Sequence, residues 1–248
     1  PQEQIDDAKA DGVTELTDAM RDALQKYPVG GVCQFGKNIV DPEQITAFNA
    51  ALQEASDIPL FISVDEEGGA VARLANKDTF DLPRYESAAA VGAFKHFPGH
   101  GDTAEDSHTG LAYSYRTVDE LTACELLPFE AAAEVGPHAV MVGHIVVPEL
   151  TGDLPATLCA DAIALVPDAE NTLIVTDSLA MGAITDSYTP GEAAVQALQA
   201  GCDVLLMPDG LADAYDAVLA TVQNGTLSED RLDLSVNKIL RMKAQFCA

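Results

Sequence analysis

Basic residues are scarce in this chain. Its 248 residues include 13 lysines and arginines against 40 aspartates and glutamates, a formal net charge of −27. A surface of that sign repels phosphate backbones and argues against nucleic-acid binding. The acidic residues are spread out rather than blocked into a tail, so their plain role is solubility. Long apolar runs are lacking too. Hydrophobic residues make up 48% of the chain, yet no run reaches the length of a membrane span, and a soluble globular protein is expected. Cysteine motifs are also missing. Cys33, Cys124, Cys159, Cys202 and Cys247 are odd in number, widely spaced and form no CxxC, which argues against a disulfide framework or a zinc ribbon. Cys33, Cys159 and Cys202 sit in or beside apolar segments and read as small core residues. No GxGxxG or Walker-type glycine loop supports nucleotide binding, and no GxSxG elbow marks a serine hydrolase. The chain opens at Pro1 with no methionine and no apolar leader, so no signal peptide is visible. The compartment, cytoplasmic or exported, stays open.

What is present is an alternation of short apolar runs with amphipathic patterns. GGVCQF (30–35), PLFISV (59–64), AVMVGH (139–144), TLIVTD (172–177) and DVLLMP (203–208) read as strands, with FKHF (94–97) as a sixth. Their near-continuous apolar character suits parallel strands buried on both faces. Helix starts lie between them. Asp41 with Pro42 and Gln44, Thr117 with Glu120, and Thr189 with Glu192 are N-terminal signatures, and Ser228 caps a last helix. The Thr117 helix is expected to run through Glu134. This order predicts an α/β fold with a parallel sheet. With no repeat and no linker, residues 1–248 are taken as a single domain. Six strands fall two short of an eight-stranded barrel, and the shortfall lies before residue 30 and between Val64 and Phe94.

Polar residues gather just after strand ends: Asp65-Glu66-Glu67-Gly68-Gly69, His144, Asp177-Ser178 and Pro208-Asp209. In α/β barrels the active site lies at those ends. The densest cluster is KHFPGHGDTAEDSH, residues 95–108. His96 and His100 have the spacing of a helical zinc pair. Pro98 and Gly99 between them break a helix, and Phe97 stands where a metalloprotease helix has glutamate. A metal held by the loop is the lesser reading. Asp106-Ser107-His108 offers a carboxylate that can orient an imidazole for proton transfer, although an isolated Asp-x-His is usually a surface pair. Asp177 is either a nucleophile or an N-cap, and DEEGG is either a binding turn or solvated acids.

Taken together, KHFPGHGDTAEDSH, PLFISVDEEGG, VGGVCQFGKNI, AVMVGHIVVPEL, LPATL, IVTDSLAMGAI and AAVQALQAGCDVLLMP resemble glycoside hydrolase family 3, in its β-N-acetylglucosaminidase branch. The resemblance runs from about residue 28 to the C-terminus, with its blocks in the family's order. It implies a (β/α)8 TIM-type barrel in a bacterial protein. It implies release of terminal β-linked N-acetylglucosamine, with retention, from peptidoglycan fragments or related glycans. It implies Asp177 as nucleophile, His108 as general acid/base with Asp106 as its partner, and Lys95, His96, Asp65 and Arg73 as sugar-binding residues. The substrate is a carbohydrate, no cofactor or metal is implied, and the oligomeric state stays open. Phosphate as acceptor in place of water, a catalytically impaired glycan-binding role and β-glucosidase activity are the rivals.

Two departures stand out. Ala70 replaces an arginine usual in the DEEGG block. An early strand and a segment near residues 74–93, which in the family carries a substrate-contacting arginine, have no counterpart here. The barrel is therefore expected to be incomplete as it stands, its segments either deleted or left out of the numbered sequence. The second is favoured, because losing barrel strands exposes apolar core and sheet edges.

Overall fold

The computed structural model describes residues 12–68, 71–82, 93–101, 103, 110–134 and 139–246. The chain divides into two compact units, Pro1–Val91 with Lys243–Ala248, and Gly92–Met242.

The first unit runs α1 (Asp18–Lys26), β1 (Gly31–Gln34), α2 (Pro42–Glu54), β2 (Phe61–Val64), β3 (Glu66–Gly68) and β4 (Val71–Ala72). Helix α2 starts where its signature predicts: the Asp41 carboxylate accepts the Gln44 N–H at 2.8 Å, and Pro42 occupies the first turn. Strands β1 and β2 are parallel, with Gly31 opposite Phe61. A Cβ on Gly31 would lie 2.5 Å from the Phe61 carbonyl oxygen, so the pairing requires glycine there. Phe48, Leu52 and Leu60 form the buried centre of this unit. Gln53 clamps the entry to β2 by donating to the Leu60 carbonyl and accepting the Leu60 N–H. Strands β3 and β4 pair antiparallel. The Glu66 carboxylate, taken above as a possible ligand group, accepts the N–H groups of Leu74 at 2.8 Å and Ala75 at 3.0 Å and so pins the segment after β4.

The second unit contains β5 (Ala93–Phe97), β6 (Ala112–Tyr113), α3 (Val118–Ala123), α4 (Leu127–Ala133), β7 (Ala139–Val142), β8 (Ile145–Val146), α5 (Pro148–Thr151), α6 (Ala160–Ile163), β9 (Leu173–Thr176), α7 (Gly182–Thr185), α8 (Pro190–Ala200), α9 (Leu211–Gln223) and α10 (Glu229–Phe246) up to Met242, the last turn of α10 being counted with the first unit. Its frame is a parallel sheet in the order β5-β7-β9, and β6 and β8 pair parallel beside it in sequence. Phe97, Leu121, Val140, Val142, Ile145 and Ile174 are at the centre of its core, and the Phe97 and Phe129 rings meet edge to face at 5.1 Å.

Two expectations change. The Thr117 capping box is present, but the helix stops at Ala123 and restarts at Leu127. Pro128 has no N–H to donate to Cys124 and its ring crowds that carbonyl, so one continuous helix cannot form. Residues 203–208 make a single parallel bridge, Val204 to Val175, rather than a strand. The reason is local. The N–H groups of Asp203 and Val204 both donate to the Ile174 carbonyl, and the Leu206 N–H goes to the Thr176 hydroxyl instead of a backbone partner. Residues 83–92, within the interval that looked too short, lie outside the described residues. Among the described residues the strands form four separate small sheets, with no closed eight-stranded ring.

Cys159 and Cys202 are buried as expected, Cys33 is half-buried and Cys124 is exposed. Cys247 lies outside the described residues.

Candidate active site

The site begins where β5, β7 and β9 end. In β5 the pairing with β7 shifts between Phe94 and Phe97, so that Lys95 and His96 form an irregularity in the ladder. The Lys95–His96 and Phe97–Pro98 peptide bonds are cis. Gly143, just past β7, donates its N–H to the Phe97 carbonyl at 2.9 Å. A Cβ on Gly143 would stand 3.1 Å from the His96 Cβ and 3.2 Å from the Ile145 Cδ1, so the absence of a side chain gives His96 its place.

Asp177 follows β9 directly. Its N–H donates to the Val142 carbonyl at 2.9 Å, extending the β7 pairing by one residue. Its carboxylate has two distinct oxygens. Oδ1 accepts the Ser178 N–H at 2.7 Å, and Oδ2 faces the His96 Nε2 at 3.6 Å. The Asp177 side chain is 13% exposed and that of His96 26%, so the pair is sheltered yet reachable. An N-cap accepts the N–H two or three residues ahead. Asp177 instead bonds its immediate neighbour, which leaves its other oxygen facing an imidazole.

His100 closes a turn rather than joining the pair. Its Nδ1 lies 2.6 Å from the Thr103 hydroxyl, and its carbonyl accepts that hydroxyl at 2.9 Å. Its ring meets the His96 ring edge to face, with centroids 5.8 Å apart.

Of the residues singled out in the sequence, the structure brings His96 and Asp177 together, with Lys95 beside His96 on β5. Asp65 and Arg73 belong to the first unit, Asp65 between β2 and β3 and Arg73 just after β4. The Arg73 Nε is buried and makes no hydrogen bond among the described residues. Asp106 and His108 lie outside the described residues, as does Ala70. No group of three or more histidine, cysteine or acidic side chains is placed to hold a metal ion among the described residues. Nor is any described helix long and apolar enough to cross a membrane. His144 was legible only as a polar residue closing an apolar strand. It proves fully buried against the residue after Asp177.

A carboxylate at the end of one parallel strand thus faces an imidazole on another across a glycine. The model of the glycosyl hydrolase family 3 N terminal domain matches residues 3–91 and 85–242. The chain belongs to glycoside hydrolase family 3. It is 25% identical to beta-hexosaminidase A of Pseudoalteromonas piscicida, covering 94% of this chain and 56% of that protein. It is 30% identical to the beta-hexosaminidase of Stenotrophomonas maltophilia strain R551-3, over 83% of this chain and 84% of that protein. Among solved structures it resembles a family 3 β-N-acetylglucosaminidase from Paenibacillus sp. str. FPU-7. That match has a TM-score of 0.85 at 29% identity and covers 94% of this chain and 59% of that one. The chain thus spans little more than half the length of two of these relatives. The first alignment extends over 335 residues, more than the 248 in this chain, so the relative carries internal residues with no counterpart here. The family match itself breaks and restarts across 85–91, inside the interval that looked too short in the sequence.

Proposed function

We propose that this protein is a retaining exo-β-N-acetylglucosaminidase acting on peptidoglycan fragments or related N-acetylglucosamine-terminated glycans. The observation that carries the reading is Asp177: a sheltered carboxylate at a strand end, with one oxygen fixed by the Ser178 N–H and the other open toward His96. Such an oxygen can attack an anomeric carbon and form a glycosyl-enzyme. His108, oriented by Asp106, protonates the leaving oxygen and then takes a proton from the attacking water. Lys95 and His96 hold sugar hydroxyls from β5, and Asp65 and Arg73 grip the sugar. The net charge of −27 favours water over phosphate as acceptor. For the frame we propose a single domain of (β/α)8 type, supported by the parallel order β5-β7-β9 and the further parallel bridge to Val204.

Asp177→Ala should abolish release of nitrophenol from its N-acetyl-β-glucosaminide, and retained turnover would sink the assignment. A second reading has an observation behind it. Relatives carry internal residues that this chain lacks, in the interval expected to hold a substrate-contacting arginine. On that reading the protein binds glycans without cleaving them. Binding of N-acetylglucosamine oligomers by calorimetry, with no product over days, would favour it.

A further inference from the structure

We infer that His144 is a positioning residue that sets the orientation of Asp177. The inference rests on the reading of Asp177 as nucleophile. His144 is fully buried, and both ring nitrogens have partners. Nδ1 lies 2.8 Å from the Thr157 hydroxyl and Nε2 lies 2.9 Å from the Ser178 carbonyl. A carbonyl only accepts, so Nε2 carries the proton. The donor therefore grips the residue directly after Asp177.

That grip acts on a short turn that several backbone bonds also hold. The Ser178 N–H points back to Asp177 Oδ1 at 2.7 Å, and the next N–H, of Leu179, goes to the Leu206 carbonyl at 2.9 Å. The Ser178 carbonyl also accepts the Met181 N–H at 3.1 Å, so it keeps a partner when the imidazole is removed. What the imidazole adds is direction. The Ser178 carbonyl and N–H lie in adjacent peptide planes that meet at the Ser178 Cα, so a tilt of the first changes the Ser178 dihedrals, shifts the N–H relative to Oδ1 and frees the carboxylate to turn about χ2, a soft two-fold torsion. With the N–H in place, Oδ1 is occupied and Oδ2 is the oxygen presented toward His96.

The other end of the ring ties the same device to the sugar-binding side. The Thr157 hydroxyl also lies 2.8 Å from the Gly143 carbonyl, its single proton serving either that carbonyl or Nδ1, and Gly143 is the residue packed against the His96 Cβ. Adjacent residues 143 and 144 thus touch the two strands that supply His96 and Asp177. Reaction through a positioned group loses rate steeply with small misplacement, on the order of a hundredfold for about 1 Å. Loss of direction should therefore act on kcat, while ground-state binding of the sugar through other side chains persists.

The test compares His144→Leu, His144→Gln and Thr157→Val with the parent on nitrophenyl N-acetyl-β-glucosaminide, with melting temperature followed in parallel. The glutamine amide can donate to the Ser178 carbonyl and accept from Thr157; leucine can do neither. His144→Leu should lower kcat by about 30- to 100-fold with KM within about twofold. His144→Gln should recover kcat to within about fivefold of the parent, and Thr157→Val should fall between them. The inference is overturned if His144→Leu keeps kcat within about twofold, if its loss lies in KM, or if His144→Gln is as slow as the leucine variant. Should the leucine variant fail to fold, His144→Gln and Thr157→Val decide: parent-like rates in the first with a kcat loss in the second support it, and any other pair overturns it. Asp177→Asn is run alongside. Full activity in that variant removes the underlying reading, whatever His144 shows.

Discussion

Asp203→Ala should destabilise the second unit by several kcal/mol. The Asp203 side chain is 1% exposed, and it collects donors from two elements, strand β9 and helix α10. Oδ2 accepts the Ile174 N–H at 3.0 Å and the Lys238 Nζ at 2.8 Å; Oδ1 accepts the Ser235 hydroxyl at 2.6 Å and faces the Arg231 Nη1 at 3.8 Å. Arg231 also donates to the carbonyls of Leu198 and Cys202. One carboxylate therefore fastens helix α10 to strand β9, three residues before Asp177. Removing one partner of a buried pair leaves the other charge uncompensated, at a cost of about 3–5 kcal/mol. Total stability for a domain is about 5–15 kcal/mol, so such a loss should be obvious in urea denaturation followed by circular dichroism. Adding Lys238→Ala to Asp203→Ala should cost less than the two single losses together, because the ammonium has already lost its partner. A single-variant effect below about 1 kcal/mol, or strict additivity, would refute the reasoning.

Gly143→Ala places a methyl 3.1 Å from the His96 Cβ, well inside the roughly 3.5–4.0 Å of ordinary carbon contact. Overpacking of this kind should cost about 1–3 kcal/mol and lower kcat/KM about tenfold. Unchanged stability and rate would mean that His96 yields freely. Burial, aided by the charge of Asp203, pushes the Cys202 thiol up to about 12. A group whose pKa is higher in the folded state stabilises fully below its ordinary 9.0 and loses that contribution as pH rises toward about 12. Urea stability should therefore fall across that window, and Cys202→Ala should fall less; equal slopes would contradict the assignment. Thr189→Ala removes the hydroxyl that accepts the Glu192 N–H at 3.3 Å and should cost α8 about 1 kcal/mol, read from the thermal midpoint.

Much of the frame was legible in the sequence because its signals are local. The cap at Asp41 and the boxes at Thr117 and Thr189 depend on residues three apart, and each forms where it was read. Five of the six apolar runs become strands because neighbouring backbones pair with them in parallel, with a register shift only in β5 between Phe94 and Phe97. The run at 203–208 does not, since two N–H groups converge on the Ile174 carbonyl and a threonine hydroxyl replaces a ladder partner. Neither feature follows from apolar spacing. Asp177 and His96 were found through a resemblance to known motifs, and the structure then gave their separation. His144 could not be ranked from the sequence, because a histidine at a strand end is as compatible with solvent as with burial. Its importance comes from Ser178, thirty-four residues away.

The central claim is that Asp177 forms a covalent bond to the sugar. A fluorinated N-acetylglucosaminyl donor, which forms the glycosyl-enzyme faster than it is hydrolysed, tests this most directly when the labelled protein is digested and sequenced by mass spectrometry. The account predicts one added sugar per chain, located on Asp177 and absent from Asp177→Ala. A sugar attached elsewhere, or turnover of the ordinary substrate with inversion and no adduct, would contradict it.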